Sequence, residues 1–227
     1  MSNRFEAAGL GAALASHPAL ASALAAGLRP TQVEQAVAFY DEPHRHYHGR
    51  AHIVEMLDAA HAGGFALSPA QALAVLFHDA VYVPGAARGS NETMSAQLMR
   101  VYQGHVAGAV VEVAYAIIID TADHVARRPE SELVLDLDLI RLGAPPSAFA
   151  RYSAAVFAEQ RPLIALDDEA AAREYFEIQR VPFFERLLAR DAIYCLADFR
   201  ARYEMQARRN MRAAIQRIRV AGTHGTA

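Results

Sequence analysis

The chain contains no lysine; all 22 of its basic residues are Arg. That single absence removes Schiff-base catalysis, the phosphate-loop lysine and the kinase lysine. Cysteine is nearly absent too. Cys195 stands alone, which excludes an internal disulfide framework and a multi-cysteine zinc site, and in its apolar segment it reads as a core thiol. There is no G-x-S-x-G elbow and no G-x-G-x-x-G loop, so nothing points to nucleophilic serine catalysis or dinucleotide binding. No run is long and apolar enough to span a bilayer. The Ala- and Leu-rich start is interrupted by His17, Pro18 and Ser22, and no basic segment precedes a strongly apolar one, so it does not read as a signal peptide. A cytoplasmic location is expected. The net charge of −3 gives no electrostatic reason to expect a nucleic-acid partner.

What is present is apolar residue and histidine. The 227 residues are 53% hydrophobic, enough to bury one domain's core, and ten are His. The pattern is helical throughout. Residues 5–28 suggest one or two Ala-rich helices split near Pro18. A capping box at Thr31 and Glu34 opens a helix through Val33, Val37, Phe39 and Tyr40, stopped at Pro43. A helix from about Tyr47 runs to the Gly63-Gly64 break and puts His48 and His52 on one face. His44 and His46 read as a solvated loop, and His61 as a favourable partner for that helix's C-terminus. Ser68-Pro69 opens the next helix, and Ser90 or Asn91 caps another with Glu92 in its first turn. Val106 to Ile119 reads as a buried helix ending in Asp120 to His124. Further helices follow over residues 146–161, 168–190 (bent at Pro182) and 198–219, the last carrying seven Arg against Asp198 and Glu204. That last helix reads as a solvated amphipathic element laid on the core by Met205, Met211, Ile215 and Ile218. The expected division is an N-terminal helical segment over residues 1–30, a single helical domain over 31–221 and a frayed tail over 222–227.

Two features break the apolar pattern. The run Ala72 to Phe77 ends in His78-Asp79, and a buried imidazole and carboxylate cost several kcal/mol unless a hydrogen-bond network or a metal ion satisfies them. The aliphatic run Leu133 to Ile140 contains Asp136 and Asp138. A strand would place both on one face, whereas a helix would set them about 200° apart. Asp136 can be taken as a helix N-cap. Asp138 is then an inward carboxylate in want of a cation.

With His52 on the preceding helix, the order is His, His-Asp, Asp. This resembles the HD superfamily of metal-dependent phosphohydrolases, whose signature is H…HD…D on an all-helical core. It looks closest to a bacterial group described as predicted members of that superfamily. The residues that carry the resemblance are Tyr40 to Ile53 (YDEPHRHYHGRAHI), Phe77 to Tyr82 (FHDAVY), Asn91 to Ala96 (NETMSA), Ile118 to His124 (IIDTADH) and Leu135 to Gly143 (LDLDLIRLG), with weaker echoes in Tyr152 to Glu159 and Arg208 to Asn210. Where that group carries Arg and Tyr around the position of Glu159, this chain has Phe157 and Gln160, which implies a difference in substrate.

The resemblance implies an all-α, HD-domain-like helical bundle with a metal site between core helices. It also implies a ligand set of His52, His78, Asp79 and Asp138. His48 stays open as a substitute for His52, and Asp136 as a substitute for Asp138. Asp79, Glu92 and His124 become candidates for steering water or moving a proton. His48, Arg45 and Arg50 become candidates for binding substrate phosphate. A mixed nitrogen and oxygen site suits Mn, Fe, Co, Ni, Zn or Mg. One ion is expected, with a second, held through His124, as the alternative. The implied activity is hydrolysis of a phosphomonoester or phosphodiester of a nucleotide-like small molecule. The alternatives are an HD-type oxygenase, hydratase or lyase, and a non-catalytic metal-binding module. The expected partner is a small phosphorylated substrate, without membrane or nucleic acid, and self-association as a homodimer is compatible with the sequence.

Overall fold

The computed structural model describes residues 13–224, and no strand occurs among them. Residues 5–12 of the expected Ala-rich helical stretch over 5–28, and the last three residues of the tail, lie outside that range. Eleven helices follow in order: α1 Ala21–Ala25, α2 Pro30–Ala38, α3 Arg50–Ala62, α4 Pro69–Phe77, α5 Ser90–Tyr102, α6 Gly108–Thr121, α7 Pro129–Asp138, α8 Pro146–Gln160, α9 Glu169–Leu188, α10 Ala197–Phe199 and α11 Met205–His224. The chain divides after Leu137 into two compact units. The fold class is all-α, as the periodicity indicates. No helix among the described residues is long and apolar enough to cross a membrane.

In the first unit α4 is the central helix. It packs against α1, α2, α3, α5 and α6. Its sequence explains why. Seven of its nine residues are buried, from Ala70 through Phe77, leaving no polar stripe to face water. Ser68 starts it cleanly, its Oγ accepting from the Gln71 N–H at 3.3 Å while Gln71 Oε1 accepts from the Ser68 N–H at 2.9 Å. Tyr40 closes it, donating to the Leu76 carbonyl at 3.1 Å and accepting from the Asp79 N–H at 3.2 Å. The central helix therefore delivers His78 and Asp79 at a fixed depth.

Several helix starts differ from the sequence reading. Pro30 occupies the first turn of α2, where its missing N–H costs nothing, so the helix begins ahead of Thr31. Gln32, not Glu34, closes the cap, accepting from the Arg29 N–H at 2.8 Å. The cap of α5 is Gly89, at φ +80°, rather than Ser90 or Asn91. Asn91 instead ties down the preceding loop through the N–H and carbonyl of Val83.

In the second unit α11 packs on α9 and on the short 3-10 turn Ile140–Gly143. Gly143 is required there. A Cβ at that position would lie 2.5 Å from the Cβ of Tyr203, in a π-helical segment, Arg200–Glu204, that the sequence did not suggest. Asn210 on α11 donates to the carbonyls of Leu142 and Ala144, both at 2.8 Å, and pins the turn. Phe157, Ala172 and Phe176 form a core where α8 meets α9.

Candidate metal centre

His78 caps the C-terminus of α4 and is 1% exposed; His52 lies in the first turn of α3 and is 2% exposed. Their Nε2 atoms are 3.2 Å apart. The Oδ2 of Asp79 lies 3.1 Å from His78 Nε2 and 3.9 Å from His52 Nε2. Asp138, the last residue of α7, brings a carboxylate oxygen to the two imidazoles, whereas Asp79, although it approaches both, does not belong to the metal-competent group. One ligand atom each from His52, His78 and Asp138 lies within 4.8 Å of the others. Among the described residues this is the group of three or more His, Cys, Asp or Glu with the spacing to hold a metal ion.

The tautomer of His78 is fixed by its neighbour. Its Nδ1 is 3.0 Å from the Val75 carbonyl, and a carbonyl only accepts, so Nδ1 carries the proton. Nε2 faces the Asp79 oxygen 3.1 Å away: a neutral ring offers it a lone pair, an imidazolium donates its second proton to it. With the neutral ring, two Lewis bases meet at that distance, an arrangement a cation between or beside them would relieve. Two nitrogens bound to one ion at about 2.1 Å and at right to tetrahedral angles stand about 3.0–3.4 Å apart. The observed 3.2 Å falls in that span.

Other residues singled out by sequence fall differently. Arg45 is not a phosphate clamp. Its side chain is fully buried and all five N–H groups are engaged: Nε and Nη2 with Glu42 at 2.9 Å, Nη1 with the carbonyls of His48 at 2.9 Å and Asp79 at 2.7 Å, and Nη2 with that of Ala80 at 3.0 Å. It stitches the loop before α3 to the end of α4. Arg50 is held by both oxygens of Asp41. His48 does not share a helical face with His52, because α3 starts after Gly49; it stacks on Tyr82 at 4.3 Å, with its centroid 6.3 Å from that of His52. Asp136 is no helix cap. It is fully buried in the third turn of α7 and does not join the metal-competent group. Glu92 sits in the first turn of α5, and His124 follows α6 with φ +54°; neither belongs to that group.

Three features escaped the sequence reading. Asp120, 1% exposed, accepts from Ser131 Oγ at 2.6 Å and from the Arg127 backbone at 3.2 Å, locking the loop between α6 and α7. The charge closing an aliphatic run was its signal. Beside it, the Arg127 guanidinium holds the Asp123 carboxyl below its ordinary value. Glu159, 1% exposed on α8, gave no signal beyond its apolar neighbours. Burial raises the Tyr152 hydroxyl, and although Arg180 opposes the shift, the negative charges of Asp138 and Glu159 add to it.

No family model matches the chain, and neither does any curated protein or solved structure.

Proposed function

We propose that the protein is a metal-dependent phosphohydrolase of the HD type, with His52, His78, Asp79 and Asp138 holding one divalent transition-metal ion. The observation that carries this reading is the group His52, His78 and Asp138, with Asp79 beside it just past the end of the central helix. His78 Nε2 and Asp79 Oδ2 face each other at 3.1 Å, with the imidazole proton committed to Val75 on the other side of the ring. The backbone carbonyl behind His78 is the kind of outer partner that orients an imidazole ligand.

When bound, such an ion acidifies water and polarises a phosphoryl oxygen. The chain's own part is to set the ligands. The α4 helix fixes His78 and Asp79, and α3 aims His52 between them. Asp79, 15% exposed at its side chain, is the most accessible of the three and is the residue to orient an attacking water. His48, on the loop before α3, can move a proton to the leaving group. Substrate phosphate is not gripped by Arg45, whose donors are already spent. The substrate is a small phosphate ester of nucleotide type, and the protein acts in the cytoplasm.

A second reading rests on the same 3.2 Å contact: one imidazole can donate to the other, making a hydrogen-bonded pair in a non-catalytic module. Elemental analysis of the purified protein, alongside phosphatase and phosphodiesterase screens with added Mn²⁺, Co²⁺, Ni²⁺ and Mg²⁺, separates the two. The hydrolase predicts about one equivalent of metal and metal-stimulated release of phosphate or nucleoside. Absence of metal after reconstitution would leave the hydrogen-bonded pair. Two equivalents of iron without hydrolysis would point to redox chemistry.

A further inference from the structure

The Arg-rich helix α11 plays no part in the metal centre, yet one stripe of it lines a cavity. Gln206, Arg209, Asn210, Ala213 and Arg217 recur at helical spacing and therefore share a face. Across from them lies the first turn of α8, including Pro146 and Phe149, and the cavity between has a volume of about 290 Å³. No carboxylate lines it.

Its polar wall is pre-set rather than loose. Asn210, 5% exposed, is anchored to the carbonyls of Leu142 and Ala144 at 2.8 Å. Its Oδ1 accepts from Gln206 Nε2 at 2.8 Å, and Gln206 Oε1 accepts from Arg209 Nη2 at 2.9 Å. This relay fixes the Arg209 guanidinium while leaving donors over. Arg217 makes no ion pair among the described residues. The first turn of α8 supplies the facing apolar wall through Pro146, Phe149 and Ala150. Ala213, midway between the two arginines, leaves the room that a larger side chain would fill.

We infer that this cavity binds a small phosphorylated molecule, its phosphoryl group held by Arg209 and Arg217 and its body laid on Phe149 and Pro146. Two guanidiniums suit a dianion better than a single carboxylate. A volume at the lower end of ligand pockets, about 300–1,000 Å³, suits a phosphate ester on one ring rather than a polymer. The inference stands independently of the hydrolase reading.

Calorimetric titration of the full-length protein with phenyl phosphate, in buffer freed of divalent ions, tests it. One saturable equivalent is expected. Arg209→Ala and Arg217→Ala should each weaken binding roughly tenfold or more, the scale of a lost charge-assisted hydrogen bond. Ala213→Leu removes no charge but fills the space, and it should weaken binding as much. Arg212→Ala, exposed on the same helix outside the cavity, should change affinity less than about twofold, as expected of a surface charge outside the contact. These positions are solvent-facing, so the variants fold. The inference is overturned by an absence of saturable binding, by an Arg212→Ala loss equal to that of Arg217→Ala, which is diffuse helix charge, or by an Ala213→Leu variant that binds normally.

Discussion

Replacing Arg45 with Ala should destabilise the protein severely, and the structure gives the magnitude. The side chain is 0% exposed and its guanidinium satisfies three backbone carbonyls, those of His48, Asp79 and Ala80, besides Glu42. Hydrogen bonds from a charged donor contribute about 1.5–3 kcal/mol each. Water can reach part of the vacated space, and Glu42 is half exposed and resolvates readily. The net loss is therefore nearer about 4 kcal/mol than the full sum. Against a total stability of about 5–15 kcal/mol this is a large fraction. Urea unfolding followed by circular dichroism would read it as a midpoint lowered by about 2 M at an m-value of about 2 kcal/mol/M. Arg45→Lys should recover less than half, because one ammonium cannot span carbonyls on two loops as a planar fork does. A loss below about 1 kcal/mol for Arg45→Ala, a tenth or so of a typical stability, would refute the view that this side chain holds the loop before α3 to the end of α4.

Other outcomes follow from particular contacts. His78→Ala and Asp79→Ala should each lose bound metal and activity together by elemental analysis and phosphatase assay, while His61→Ala, exposed at the far end of α3, should keep both; stoichiometric metal in the Asp79 variant would remove it from the ligand set. Gly143→Ala forces a Cβ to within 2.5 Å of Tyr203 Cβ and should lower stability by about 1–3 kcal/mol in thermal or urea melts. Asp123 is held below its ordinary carboxyl value by Arg127. The stability this pairing contributes is present above the unfolded value of about 3.8 and is lost as pH falls through the lower folded value. Arg127→Ala should therefore cost stability at pH 7 and lose that cost toward pH 2, and an equal cost at both would show that the pairing is not its source.

The parts of the fold that were legible are those where one local rule acts without competition. Ser68-Pro69 announces α4 because a hydroxyl cap and a proline at the first position agree. The apolar run behind it leaves only one way to place His78. The starts of α2 and α5 were misplaced by a residue or two because a second signal won: Pro30 moved one start back, and Gly89, free to adopt φ +80°, made another cap out of backbone alone. In α7 the two Asp are two residues apart, so a helix must send them to different sides. Sequence can say that they diverge but cannot say which meets the imidazoles; packing decides, and Asp138 joins His52 and His78. Arg45 was misjudged for a related reason. Five donors suit phosphate and backbone carbonyls equally, and only the approach of the Asp79 and Ala80 carbonyls, remote in sequence, distinguishes the two uses.

The placement of the candidate ligands on their helices bears on which cation the centre would take. His78 ends α4 and Asp138 ends α7, so two helix C-termini turn their negative ends toward the group. Each favours a cation by about 0.3–1 kcal/mol. His52 sits in the first turn of α3. Charge then discriminates between a proton and a metal. Among these four side chains the neutral imidazoles bring no charge and the carboxylates of Asp79 and Asp138 bring two negatives. A proton on His78 offsets one of them and leaves the lone pair of His52 facing the other's field; a divalent ion offsets both and uses every donor present. The same count makes Asp138→Asn more informative than Asp138→Ala, since it keeps shape and oxygen but removes one negative charge. If the centre holds a dication the variant should bind metal markedly more weakly, whereas a merely hydrogen-bonded histidine pair would leave its stability and fold unchanged by the substitution.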